Sequence, residues 1–238
     1  MASVRRNLLF QFIQNGGLMK SILIFGAGGH AKVIVDIIEK QGKFNIAGFI
    51  DEYRDKNTVI MGYKVLGDES SLKDIVFSYE IYGGIIGISD NSIRAEVRDK
   101  VIKVIPNFKF VNCIHPKSIL GKDATLGEGN VVMAGAIINS STRIKNHCIL
   151  NTNSSIDHDC LMSDFSSIAP NATVGGNVKI GDYSAIGIGV NIFHNVNIGY
   201  NCIIGGGSLV CHDTNESSIY YGSPSKFIRE HKIGDKYL

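Results

Sequence analysis

The sequence predicts two units in one chain: a short α/β unit of Rossmann type, then a parallel β-helix built from hexapeptide repeats. Three observations carry this. Aliphatic residues recur every six positions over about ninety residues; Gly supplies 27 of 238 residues but Pro only 4; and a strand, a glycine turn, a helix and a second strand precede the repeat. Glycine well above its usual ~7% in a chain poor in proline points to a fold that consumes glycine, not to a disordered one.

Composition excludes several classes. Hydrophobic residues are 44% and the formal net charge is +2. A balance so near neutral argues against a nucleic-acid or membrane-surface protein. No apolar run approaches the ~18 residues of a membrane span. The five cysteines include no CxxC pair, which fits reduced thiols in a cytosol better than disulfides or a zinc site. Residues 1–18, with Arg5 and Arg6 before a short apolar stretch, read as a leader or an extension upstream of Met19.

The α/β unit is assigned to residues 19–112. SILIF (21–25) reads as a buried strand, GAGGHAK as a turn, residues 31–40 as an apolar-periodic helix, and IAGFI as a strand ending at Asp51. Gly26, Gly28 and Ala31 match G-x-G-x-x-A, and Asp51 follows Gly26 by 25 residues. Such glycines admit phosphate to the backbone, the helix N-terminus favours the anion, and the acid reaches a ribose or base. A tight strand-to-helix turn without ligand has the same pattern. Further on, YGGIIGISDNSIR (82–94) reads as a strand ending in Gly87, then a capped helix carrying Arg94. The unit is too short for a full dinucleotide domain, so a mononucleotide fits better than NAD.

The β-helix is assigned to residues 113–238. Stepping by six from Leu120 to Val210, all sixteen positions are aliphatic or Met. Stepping from Ser118 to Ser208, fifteen of sixteen are small, Asn130 excepted. A period of six fits neither a long helix nor a plain sheet. It fits a triangular coil of about eighteen residues per turn, with the aliphatic pointing inward and the small residue packed near a corner. Cys148, Cys160 and Cys202 are then core fillers. Glycines at 121, 127, 175, 181, 187, 199 and 205 directly follow the aliphatic. With Asn191, Asn195, Asn197 and Asn201 they are expected at corners where φ > 0.

The combination of ILIFGAGGHAKV with a hexapeptide helix containing NTNSSIDHDC resembles the bacterial sugar O-/N-acyltransferases, of the sialic-acid O-acetyltransferase and bacillosamine/perosamine N-acetyltransferase type, from residue 19 to about 230. The resemblance implies a left-handed β-helix, a homotrimer, and acetyl-CoA as co-substrate without a metal. It implies a nucleotide-sugar in the N-terminal unit and an active site between neighbouring β-helices. His158 matches the catalytic histidine and Asp159 its carboxylate partner. Gly176 matches the glycine whose N–H faces the thioester carbonyl. Gly26, Gly28, Gly29, His30, Asp51, Gly87, Asp90 and Arg94 fall in the nucleotide-sugar region. Ile188 and Gly206 fall along the coenzyme groove, and GSPSKFIR (222–229) places Lys226 and Arg229 near the coenzyme phosphates. One departure is Ser167, which stands where the family carries a second histidine nine residues after the first.

The chemistry of His158 agrees with that role. Flanking acids favour the charged imidazole and raise its pKa, and one carboxylate on the far ring nitrogen fixes the tautomer. The base would take a proton from a sugar amine or hydroxyl attacking the thioester. The other histidines rank lower: His115 as a cap or packing residue, His147, His194 and His212 at corners, with contact to the coenzyme as the alternative for His194, and His231 as solvated. The expected function is acetyl-CoA-dependent N-acetylation of a nucleotide-linked 4-amino-4,6-dideoxy sugar, for surface polysaccharide or glycan synthesis in the cytoplasm. Sialic-acid O-acetylation and a non-enzymatic nucleotide-sugar-binding trimer are the alternatives. A zinc carbonic-anhydrase-like helix is disfavoured, because the histidines form no tight pair.

Overall fold

The computed structural model describes residues 19–232 and 234–235, so the leader reading of residues 1–18 lies outside the described residues. The N-terminal unit runs β1 (Lys20–Phe25), α1 (Gly29–Gln41), β2 (Phe44–Ile50), β3 (Val59–Ile60), β4 (Tyr63–Gly67), α2 (Leu72–Ser78), β5 (Gly83–Ile86) and α3 (Asn91–Val104). Its sheet has the order β3-β4-β2-β1-β5, parallel except at the β3–β4 hairpin. Helix α1 begins two residues before the expected Ala31 and ends at Gly42, whose φ of 64° lets its N–H cap Ile38 O at 3.0 Å. It buries Ala31, Ile34, Val35, Ile37 and Ile38. Residues 59–78, where no periodicity marks an element, supply the hairpin and α2.

From Cys113 onward the chain makes a two-residue strand every six residues, seventeen in all up to Leu209–Val210. They stack into three parallel sheets, the faces of a left-handed triangular prism. Face 1 turns Val132, Leu150, Ile168, Ile186 and Ile204 inward; face 2 turns Ile138, Ile156, Val174, Ile192 and Val210; face 3 turns Ile144, Met162, Ile180 and Ile198. All are buried in one core. An antiparallel hairpin, β23 (Ser218–Tyr221) with β24 (Lys226–Glu230), extends face 1 at the C-terminal end.

The small inward position does more than fill space. Thr142 Oγ1 donates to Asp157 O and accepts from Cys160 N–H, one coil on. Ser184 repeats this with Gly199 O and Cys202 N–H. Cys148 and Cys160 donate their thiols to Ser163 O and Gly175 O at 3.1 and 3.2 Å. Asn130, the exception to the small pattern, does the same with its amide, binding Lys145 O and Cys148 N–H at 2.9 and 2.7 Å. Where the small residue is polar, the corner thereby satisfies a buried carbonyl or N–H that the ladder leaves over.

The corners correct one expectation. Positive φ recurs every six residues, but three positions after the aliphatic: Gly129, Asn153, Asp159, Asn171, Asn177, Gly189, Asn195 and Asn201 are examples. The glycines directly after the aliphatic are absent from this set. They are required because a Cβ there would strike the next coil, at 2.6 Å from Ser140 N for Gly121 and 2.8 Å from His194 N for Gly175. Asn195 and Asn201 do occupy corners, whereas Asn191 and Asn197 lie in strands. Three bulky residues share the positive-φ phase, His147, Phe165 and Tyr183. Their rings stack in a column with centroids 4.9 and 5.5 Å apart, and this packing offsets a conformation that non-glycine residues rarely adopt. Burial, first of all, holds the His147 imidazole down to about 3, with Arg98 and Arg94 adding to the effect. His231, expected in solvent, is 4% exposed and its N–H bonds Ser217 O.

The two units are joined through face 1 and the corner between faces 3 and 1. Outward-facing Val131, Met133 and Ile149 share a core with Ile34 and Ile38 of α1. At the corner, Arg94 is wholly buried. Its Nε donates to His147 O at 2.8 Å, Nη1 to Ser89 O at 2.9 Å, and Nη2 to Phe165 O at 2.9 Å and Asn91 Oδ1 at 2.7 Å. The expectation that Arg94 contacts a nucleotide-sugar is thereby corrected: its guanidinium is spent on the interface between the units. Replacing it leaves several buried carbonyls without donors, each worth roughly 1–3 kcal/mol. Arg94→Met is expected to lower stability by about 3 kcal/mol or more, read from the urea midpoint; an unchanged midpoint would show that the clamp carries no weight.

Candidate active site

His158 stands on the corner between faces 2 and 3. The strand ending at Ile156 delivers it outward, because Ile156 is wholly buried in the prism. Its side chain is 56% exposed. His158 Nδ1 lies 2.9 Å from Asp159 Oδ2. Asp159 sits at the positive-φ position of the corner, with φ 59°. Asp157 Oδ1 accepts the His158 backbone N–H at 2.9 Å and the Asn139 amide at 2.8 Å. The hydrogen bond to Asp159 raises the imidazole pKa most, and the charge of Asp157 adds to it. With Nδ1 bound to a carboxylate, the neutral ring carries its proton there and leaves Nε2 able to accept one.

Gly176 lies one coil beyond His158. A Cβ on it would come within 2.7 Å of His158 Nε2, so glycine is what leaves room for the imidazole beside the next coil. The Gly176 N–H was expected to face a thioester carbonyl. It instead donates to His194 Nδ1 at 2.8 Å. His158, Gly176 and His194 are spaced by eighteen residues and so form one column up the corner.

A separate groove of about 260 Å³ lies on face 1 and the corner between faces 1 and 2. It brings together Ser167, Ile188 and Gly206 with Ser89 and Tyr221. Gly176 is not in it. Lys226 and Arg229 stand on β24, both exposed, and Arg229 Nη1 is 3.6 Å from Asp235 Oδ2. Tyr221 was not anticipated as part of the groove. Its ring lies against Gly205, where a Cβ would collide with it.

In the N-terminal unit the glycines divide. Gly26 has φ 91° and a Cβ there would meet Ile88 at 2.8 Å; on Gly87 it would meet Ala31 Cβ at 2.9 Å. These two answer to the packing of their own chain. Gly28 and Gly29 do not: a Cβ on either would meet nothing within 4 Å. They open α1, whose first turn has no side-chain cap. Asp51 Oδ2 accepts the Ala27 N–H at 2.7 Å and Oδ1 the Tyr53 N–H at 2.9 Å, so the acid braces the glycine turn. Asp90 is the N-cap of α3, bonding the Ser92 and Ile93 N–H groups at 2.9 Å. His30 Nε2 is buried and takes no hydrogen bond from the chain. Burial, with the charge of Arg94, lowers its pKa to about 4, so it is neutral at ordinary pH. Beside Asp51 a pocket of about 210 Å³ is lined by Gly26, Tyr53, Glu69, Ile88, Glu96 and Lys100, among others.

The family model described as the PglD N-terminal domain matches residues 21–101. A UDP-N-acetylbacillosamine N-acetyltransferase of Bacillus subtilis is 31% identical over 125 residues, covering 49% of this chain and 52% of the relative, so the chain matches about half of that relative's length. Among solved structures, a mutant of the GDP-perosamine N-acetyltransferase of Caulobacter crescentus, in complex with CoA and GDP-perosamine, is 29% identical with a TM-score of 0.82 over 90% of this chain and 99% of that one. The acetyltransferase domain of PglB from Neisseria gonorrhoeae, in complex with acetyl coenzyme A, is 30% identical with a TM-score of 0.81, covering 89% of this chain and 100% of that domain. With its glycine turn, its prism and its histidine–aspartate corner, the chain belongs to the sugar N-acyltransferase family of the bacillosamine and perosamine type.

Proposed function

We propose that the protein is an N-acetyltransferase that moves the acetyl group of acetyl-CoA to the amine of a nucleotide-linked 4-amino-4,6-dideoxy sugar. The observation that carries this is the exposed His158, held by Asp159 and pressed against Gly176. Its Nε2 takes the proton lost by the attacking amine and returns it to the leaving thiolate. The relatives bound to CoA and to GDP-perosamine support both substrate classes. Gly28 and Gly29, which no neighbour in the chain requires, leave room for a diphosphate at the N-terminus of α1. Neutral His30 stands beside it.

The groove with Ser167 and Ile188 and the base at His158 occupy different corners of the prism, with face 2 between them. One chain cannot bring them together. We therefore assign the active form as a homotrimer, with the groove of one copy facing His158 of the next. The reaction serves surface polysaccharide or glycan assembly in the cytoplasm; among the described residues no helix is long and apolar enough to cross a membrane.

The test is thiol release from acetyl-CoA with GDP-perosamine and with UDP-linked 4-amino sugars. His158→Ala is expected to lower kcat/KM by about 10²–10⁴-fold; turnover equal to wild type would exclude His158 as base. Because the base must be neutral, kcat/KM is expected to rise with pH through a midpoint above the ordinary histidine value of 6.5. Asp159→Asn keeps a residue that accepts positive φ, as Asn153 and Asn177 do in the same phase, but removes the carboxylate. The acid limb should then move to lower pH and the plateau should fall. Gly28→Ala is expected to leave the melting temperature unchanged and to abolish the shift given by the nucleotide-sugar; a lost fold would refute the reading of that turn.

A further inference from the structure

We infer that Ser89 is a specificity-determining residue whose hydroxyl bonds the sugar at the ring hydroxyl beside its amine; this rests on the acyl transfer proposed above. Ser89 is the one residue of the N-terminal unit that lines the groove on face 1, where it joins Asn151, Ser167 and Ile188. It follows β5, at the carboxyl edge of the parallel sheet, where open α/β sheets take their ligands. Its backbone is fixed from both sides. Arg94 Nη1 donates to the Ile88 and Ser89 carbonyls at 3.2 and 2.9 Å, and the next residue, Asp90, caps α3. Its side chain is left over. Ser89 is exposed, and among the described residues its hydroxyl makes no hydrogen bond. A hydroxyl carried into a groove by a rigid backbone is preorganised for a ligand.

The groove is graded along the prism. The outward residues of face 1 rise as Val131, Ile149, Ser167, Ala185 and Ile203, so Ser167 interrupts an apolar column. Asn151 lies one coil below Ala169, with its Nδ2 committed to Ile168 O at 3.1 Å. The side chains of Ser89, Asn151 and Ser167 therefore gather at the end nearest the N-terminal unit. Beyond them, toward the C-terminal hairpin, the lining is Ala185, Gly187, Ile203, Gly205 and Gly206, closed by the Tyr221 ring. A pyranose needs hydrogen-bonding partners, whereas the slender arm of the coenzyme fits a trough of glycine and aliphatic residues. The sugar takes the polar end and the coenzyme the other. The way to the polar end is continuous. Ile88 packs over Gly26 of the glycine turn, and Ser89 is next in the chain. A sugar whose diphosphate sits at Gly28 and Gly29 passes Ser89 to enter the groove. The C4 amine of a 4,6-dideoxy sugar has two ring neighbours. C5 bears the methyl, so the adjacent hydroxyl is the one at C3, and Ser89 selects sugars that keep it.

Calorimetry on the full chain reads this contact. Wild type is expected to bind GDP-perosamine, or a UDP-linked 4-amino-4,6-dideoxy sugar, about tenfold more tightly than Ser89→Ala, the scale of one hydrogen bond. Binding of GDP and UDP alone should not change. Removing the C3 hydroxyl from the ligand should cost the wild type the same factor and Ser89→Ala nothing, because both changes delete one bond. The melting temperature of Ser89→Ala should match that of wild type, since the hydroxyl holds no part of the fold. In turnover, KM for the sugar should rise while KM for acetyl-CoA stays within about twofold. The inference is overturned if Ser89→Ala binds the sugar within about twofold of wild type. It is also overturned if the 3-deoxy ligand separates the two proteins as the parent does, or if the loss falls on acetyl-CoA. Thiol release in the same preparations keeps the two readings apart. A wild type that binds the sugars but acetylates none counts against the proposed function, while the binding cycle still judges Ser89. An active wild type with Ser89→Ala unaffected counts against Ser89 alone.

Discussion

The spacing between coils governs this molecule. Parallel strands in a ladder lie about 4.8 Å apart, so residue i sits directly beneath residue i+18 and the two must share one narrow layer. A residue with a side chain directed at its neighbour's backbone cannot exist there. That is why glycine follows the aliphatic at Gly121, Gly181 and Gly187, where a Cβ would meet the next coil at 2.6 Å. It is also why rings that lie flat are admitted, as in the stack of His147, Phe165 and Tyr183. The corner that carries His158 obeys the same rule. His158 finds room only because Gly176 stands above it, and His194 reaches the Gly176 N–H only because it is one layer further on.

The period of six was legible from the aliphatic residues alone, since burying one side chain per strand is a local demand. So was the glycine turn before α1. The reason for most of the repeat glycines was not. Positive φ and inter-coil crowding both select glycine, and only the structure separates them by phase: Gly189 has φ 65° and nothing near its Cβ position, whereas Gly187 has ordinary φ and the Ile204 carbonyl at 2.6 Å. The expectation erred by assigning both to the turn. Asn130 looked like a fault in the small pattern for a related reason. Its role, bonding Lys145 O and Cys148 N–H, depends on residues fifteen and eighteen positions away.

The site residues divide along the same line. His158 and Asp159 are adjacent, so their pairing could be read from the sequence. The link between Gly176 and His194 spans a coil, and a list of corner histidines gives no sign of which one meets a neighbour's N–H. The signal that could have found it is the eighteen-residue spacing from His158 through Gly176 to His194. Tyr221 was hidden more deeply, because the hairpin that carries it begins where the period of six has ended.

Arg94 shows how one buried residue can govern two cavities that it does not line. It lies on α3, four residues past a cap that braces only its own helix, and its motif suggested a ligand. Yet the guanidinium bonds the carbonyls of Ile88 and Ser89 on one side and of His147 and Phe165 on the other. The loop it holds is doubly placed. Ile88 packs against Gly26 and lines the pocket beside Asp51, and Ser89 lines the groove with Ser167 and Ile188. A buried cation that fixes this loop fixes the distance between the glycine turn and the prism. The placement of the N-terminal unit on the prism is therefore set by the clamp and needs no ligand contact.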